Sequence, residues 1–190
     1  MPLGSYIHKS IFSICRNPYE RLLSAYIDKA IQNKGTYVRM FQMPCRWLDS
    51  SEHFTNFTLT FKQFIQCIIY NAKAEHRKAS RNSTNPLDLS SREAGIHLDQ
   101  HWAPQVHLSR PCDTLYTMVG RHEHFVDDLA ATIKYLKFNS TVRKTNYSPK
   151  SMKKPLAEWY SQLEPSMISD LKKLYKLDFK IFGYDPQPPL

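Results

Sequence analysis

The sequence predicts an α/β fold in a single domain over residues 1–190. Three observations carry that reading. Apolar residues recur at helical spacing along most of the chain, two short β-prone apolar runs lie between the helical segments, and no internal repeat, long low-complexity segment or linker divides the sequence. At 190 residues, 42% hydrophobic and 23% charged, the chain has the composition of an ordinary globular protein with one core.

Residues 11–15 (IFSIC) read as a buried strand, being short, apolar and β-prone. The chain then turns at RNP, where Asn17 suits an N-cap and Pro18 suits the first helical turn because its missing N–H costs nothing there. Leu22, Leu23, Tyr26 and Ala30 give the following helix an inward stripe. A second helix is expected over 57–75, capped by Thr60, with Phe61, Phe64, Ile65, Ile68 and Ile69 on one side. Residues 77–92 are polar and rich in turn formers, which predicts an exposed loop. TLYTMVG, residues 114–120, is the second strand. HEHFVDDLAATIKYL after it reads as a helix, acidic early and with Lys134 late, as the helix dipole favours. A last helix, residues 164–178, precedes a short FKIFGY segment.

The formal charge of +9 points to an anionic partner without choosing among nucleic acid, polysaccharide, phosphorylated small molecule and membrane surface. No window approaches the roughly 18 apolar residues of a membrane span, and the N-terminus lacks the pattern of a signal peptide, so the chain as given is expected to be soluble. Four N-x-S/T sequons, at Asn56, Asn82, Asn139 and Asn146, acquire meaning in the secretory lumen; accidental tripeptides are the plainer reading. Cys15, Cys45, Cys67 and Cys112 form no CxxC pair, which argues against structural zinc and leaves room for one or two disulfides.

The stretch RNPYERLLSAY has a physical logic of its own. A strand that ends at Arg16 and turns directly into a helix presents backbone N–H groups and the positive end of the helix dipole at one point, a common anion site. Arg21 and Ser24, three apart, share a helix face and could reach the same anion; the plainer alternative pairs Arg16 with a carboxylate and leaves the other two in solvent.

Those residues resemble the R-x-P-x-x-R-x-x-S-A-Y motif of Golgi carbohydrate sulfotransferases, the group holding the chondroitin 4-, dermatan 4-, HNK-1 and GalNAc 4-sulfotransferases. DQHWAPQ (99–105), PCDTLYTMVGRHE (111–123) and YKLDFKIFGY (175–184) resemble later blocks of the same family, in order. Ser109 departs from it, where many members carry a second cysteine. The resemblance implies a P-loop-like sulfotransferase fold, helix-rich around a small parallel sheet. It also implies PAPS (3′-phosphoadenosine 5′-phosphosulfate) as sulfate donor, with Arg16 and Ser24 on its 3′-phosphate and Arg21 in support. The implied acceptor is an acidic glycan such as GalNAc in chondroitin- or dermatan-type chains, with no nucleic acid expected. The family's P-K-x-G-type loop, which cradles the 5′-phosphosulfate, has no counterpart among the five scattered glycines, and His8 and Lys9 are a poor substitute. The expectation is therefore an N-terminally shortened form that lacks the first strand, that loop and the type II anchor by which the full-length family is held in the Golgi lumen. An inactive donor-binding remnant is the other account.

Sulfuryl transfer needs a base for the acceptor hydroxyl proton and positive groups around the leaving nucleotide. His101 is the candidate base, in the block resembling the family's HWxP, with Trp102 beside it to stack on a sugar; the alternative is a structural histidine buried against Trp102. Glu123 is the second candidate, and Arg121 a helper for glycan or donor. His97, His101, His107, His122 and His124 invite a metal reading, but no H-E-x-x-H arrangement is present and the inferred chemistry requires no metal. Phe54, Phe57, Phe61 and Phe64 are spaced as core, and Lys150, Lys153, Lys154, Lys172, Lys173 and Lys176 as a solvated face that would also suit an acidic polysaccharide. Two functions stand: a PAPS-dependent carbohydrate sulfotransferase, and a non-catalytic anion-binding module derived from that family.

Overall fold

The computed structural model describes residues 10–32, 59–79, 98–138 and 155–188. They divide between two units, one from residues 1–16 and 109–147, the other from 17–108 and 148–190.

The first unit is a parallel pair of strands with one helix. β1 (Phe12–Cys15) and β2 (Met118–Arg121) pair in the register Phe12↔Met118 to Cys15↔Arg121. Ile11 and Thr117 extend the pairing: the Thr117 N–H donates to the Ile11 carbonyl (2.8 Å), and the Ile11 N–H to Thr117 Oγ1 (3.2 Å). The Cys15 thiol donates to the Gly120 carbonyl across the pair. A 3-10 turn (His122–His124) leads into α4 (Phe125–Tyr135), which packs on β2. Gly120 suits that packing, because a Cβ there would lie 2.9 Å from Ile14 Cδ1, which would have to shift, and 3.1 Å from Asp128 Cβ. Asp128 accepts the Arg121 N–H at 2.6 Å, so an acidic residue expected merely to favour the helix dipole also ties helix to strand. β2 begins later than the expected residue 114. The Arg110 carbonyl accepts the N–H groups of Asp113 and Thr114, and Tyr116 donates its hydroxyl to Ser109, so the preceding segment is a turn.

The second unit holds the apolar core. α1 (Pro18–Ala25) starts as its sequence dictates, with Pro18 in the first turn and the Asn17 side chain accepting the Tyr19 N–H at 2.9 Å. It continues as a π-helical stretch, Tyr26–Gln32. α2 (Phe61–Ala79) opens on a capping box: Thr60 Oγ1 accepts the Gln63 N–H, and Gln63 Oε1 accepts the Thr60 N–H. Its helical hydrogen bonding runs through Ala79, so residues 77–79 of the expected loop are helical, and the rest of that stretch lies outside the described residues. Phe61, Phe64, Ile65, Ile68 and Ala72 of α2 are at most 1% exposed. They meet Tyr19, Leu22 and Leu23 of α1 and Leu171 and Leu174 of α6 (Pro165–Leu174) in one cluster.

A short helix, α5 (Leu156–Tyr160), brings in Tyr160, whose hydroxyl donates to the Tyr19 carbonyl at 2.7 Å. At five residues it is too short to leave a periodic signal in the sequence. The expected helix over 164–178 is two helices. α6 stops at Leu174, and α7 (Lys176–Phe182) takes in most of FKIFGY before Gly183, at φ 69°, ends it in the left-handed conformation glycine tolerates. Cys67 is disulfide-bonded, whereas Cys15 and Cys112 carry thiols. Among the described residues no helix is long and apolar enough to cross a membrane. The four sequons, Cys45, Phe54, Phe57, Lys150, Lys153 and Lys154 lie outside the described residues.

Candidate functional site

The segment Leu98–Pro104, leading into α3 (Gln105–Ser109), is a turn held at nearly every peptide group. The Asp99 carbonyl accepts the N–H groups of Trp102 (3.0 Å) and Ala103 (2.8 Å). Arg21, on α1, donates Nη2 to the Gln100 carbonyl at 2.7 Å and Nη1 to the Ala103 carbonyl at 2.5 Å. The Tyr175 hydroxyl, from the break between α6 and α7, donates to the Trp102 carbonyl at 2.5 Å. Asp178, on α7 and 1% exposed, accepts the Gln105 N–H (2.7 Å) and the Val106 N–H (2.8 Å), and so caps α3.

Burial raises the Asp178 carboxyl above its ordinary range, with the two N–H groups and Arg21 pulling the other way. Burial likewise pushes the Tyr175 phenol well up, so it stays a neutral donor.

His101 stands at the apex of this turn. Its Nδ1 lies 2.5 Å from Asp99 Oδ1, and the same oxygen accepts the His101 N–H at 2.9 Å. The His101 side chain is 30% exposed and that of Asp99 15%, so the pair is sheltered but reachable from water. The imidazole centre is 6.3 Å from the Trp102 ring, tilted rather than stacked. A carboxylate on Nδ1 selects the tautomer in which Nε2 carries the lone pair, the form suited to taking a proton.

Trp102 does not stand ready for a sugar. It is 6% exposed and packs edge-on to Phe64 at 5.7 Å, so its ring belongs to the core and His101 alone of the pair has a reachable side chain. Arg21, expected to share an anion with Ser24, directs both terminal nitrogens to main-chain carbonyls of the His101 turn. Ser24 is half-buried on α1. Arg16, half-buried, follows β1 and is the last residue of the first unit's opening stretch. Glu123 and Arg121 are exposed in the first unit, on the 3-10 turn and at the end of β2.

His97 lies outside the described residues, and His101 sits in a turn rather than on a helix. Among the described residues no group of three or more His, Cys, Asp and Glu is placed to hold a metal ion. Asp99, Tyr175 and Asp178 were not anticipated from the sequence. An aspartate two residues before His101 and a proline three after it is the turn signal that points to Asp99. No local signal marks the other two.

Residues 5–185 match the family model described as the sulfotransferase family. The chain belongs to that family. A Xenopus laevis protein named carbohydrate sulfotransferase 12 is 26% identical over 188 residues, covering 93% of this chain and 40% of its own length. Another from that species, carbohydrate sulfotransferase 10, is 28% identical over 189 residues, covering 96% and 48%. Carbohydrate sulfotransferase 11 of Danio rerio is 24% identical over 175 residues, covering 91% and 46%. The chain thus spans less than half the length of these relatives. No solved structure matches it. The α/β class, helix-rich with a small parallel sheet, agrees with the family assignment.

Proposed function

We propose that this chain is a sulfotransferase domain, or the C-terminal part of one, that transfers sulfate from PAPS to a hydroxyl of a glycan such as GalNAc in a chondroitin- or dermatan-type chain. The observation that carries the reading is His101, half-exposed, set against Asp99 on a turn that Arg21, Tyr175 and Asp178 hold at five main-chain groups. Family membership and the names of the relatives support it.

In the proposed reaction the acceptor oxygen attacks sulfur, an O–S bond forms, and the S–O bond to the 5′-phosphate breaks with its electron pair leaving on the nucleotide. The hydroxyl proton passes to His101 Nε2 and from there to water. PAPS supplies the activated sulfuryl group. Arg16 and Ser24 are the residues the motif assigns to its 3′-phosphate, a guanidinium for charge and a hydroxyl for direction. Arg21 serves the same site indirectly, through the turn it holds. Glu123 is the alternative base. Action in the Golgi lumen on an acidic acceptor is consistent with the charge of +9.

A second reading, a non-catalytic module that binds donor nucleotide or acidic glycan, is favoured by exposed lysines on α6 and α7, among them Lys173, Lys176 and Lys180. Calorimetric titration with PAP, the desulfated donor product, examines the nucleotide site. The expected result is saturable binding that Arg16→Ala and Ser24→Ala each weaken about tenfold or more, the loss of a charge-assisted or hydroxyl contact. Binding that neither substitution alters removes the assignment of those residues. Binding governed by salt and by several lysines together favours the second reading.

A further inference from the structure

We propose that Asp99 is the positioning residue of His101: it holds the imidazole proton on Nδ1 and keeps the Nε2 lone pair aimed at the acceptor hydroxyl. The inference rests on the reading of His101 as base and adds to it a residue with a distinct task. Asp99 Oδ1 makes two contacts, 2.9 Å from the His101 main-chain N–H and 2.5 Å from Nδ1. The first would serve a turn alone. The second fixes the ring.

A carboxylate that merely closes the turn needs the main-chain contact and nothing at Nδ1. Here the backbone is already determined by other groups: Arg21 holds the carbonyls of Gln100 and Ala103, Tyr175 that of Trp102, and Asp178 the N–H groups of Gln105 and Val106. The side-chain contact therefore acts on a ring whose main chain cannot drift, the condition for holding a catalytic group in one geometry. When Nε2 takes the hydroxyl proton, the imidazolium donates from Nδ1 to a carboxylate with which it forms an ion pair, so positive charge develops beside a fixed negative one. Asp99 accepts no proton from the substrate and touches no reacting atom.

Two readouts on the full chain test this. With histidines labelled in both ring nitrogens and His101 assigned through His101→Gln, the nitrogen shifts report its tautomer. Wild type is expected to carry the proton on Nδ1, and Asp99→Ala to relax toward the mixture of an unrestrained imidazole. In sulfate transfer, Asp99→Ala and Asp99→Asn are expected to lower kcat by about 10- to 100-fold with donor KM changed less than about threefold. Asn retains an oxygen for the His101 N–H, so it preserves the turn if Ala does not fold. A wild-type proton on Nε2, a tautomer indifferent to both substitutions, or an unchanged kcat in a folded variant overturns the proposal. Absence of PAP binding and of transfer in wild type overturns the sulfotransferase reading instead, and the tautomer still reports whether Asp99 sets the ring.

Discussion

The two units spend their apolar residues differently. In the second, Tyr19, Phe61, Phe64, Ile65, Ile68, Tyr160 and Leu171 are at most 1% exposed and lock into an aromatic cluster whose tyrosine hydroxyls all reach main-chain carbonyls. In the first, Cys15 and Gly120 are buried, while Ile14 (37%), Val119 (43%) and Phe125 (42%) on its strands and helix stay substantially exposed. The difference teaches where rigidity has been placed. The His101 turn belongs to the unit with the dense core, and its supports come from elements anchored in that core, Arg21 and Asp178 from helices and Tyr175 from the break between two of them. A side chain that must keep one orientation is well served by such a foundation.

That contrast can be broken at graded points. Phe64→Ala should be the most damaging, because the ring is fully buried against Tyr26 and Trp102; a loss of about 3–5 kcal/mol is expected in urea unfolding. Val119→Ala, at 43% exposure, should cost about 1 kcal/mol or less, and near-equal losses would erase the distinction between the units.

Asp178→Asn comes next. An amide offers one acceptor oxygen to the two N–H groups of Gln105 and Val106, so a loss of about 1–3 kcal/mol is expected. The pH dependence has a definite sign. Because burial raises the folded-state value, the native protein holds this proton more tightly than the unfolded chain. The Asp178 contribution to stability therefore falls as pH rises from the ordinary aspartate range through the raised one, and is constant above it. Unfolding measured across acid pH should show that slope in wild type and lack it in Asp178→Asn; a slope of opposite sign would mean that the N–H groups and Arg21 outweigh burial.

A local effect is expected from Gly120→Ala, where the new methyl meets the movable end of Ile14 and the Cβ of Asp128. About 1 kcal/mol of strain should appear as faster hydrogen exchange at β2 amides, with the amides of α2 unaffected.

Much of this was legible in local sequence. Asn17 and Pro18 mark the start of α1, Thr60 and Gln63 that of α2, and Phe61, Phe64, Ile65 and Ile68 its buried face, because caps and periodicity are short-range signals. The break at Tyr175 was not, since Tyr175 and Asp178 act on residues more than 70 positions away. Trp102 misled for a related reason: a tryptophan beside a histidine looks outward until the fold supplies Phe64, and the two carbonyls that Arg21 meets also lie far along the chain from it. Asp99 carries a turn signal two residues before His101, but its contact with the imidazole Nδ1 does not follow from that signal.

The most direct test of the central claim is transfer of radiolabelled sulfate from PAPS to a desulfated chondroitin-type acceptor, comparing wild type with His101→Ala. The account predicts transfer by wild type and a loss of about 100-fold or more in kcat for the variant, with PAP affinity unchanged. Equal turnover by the two proteins would contradict it.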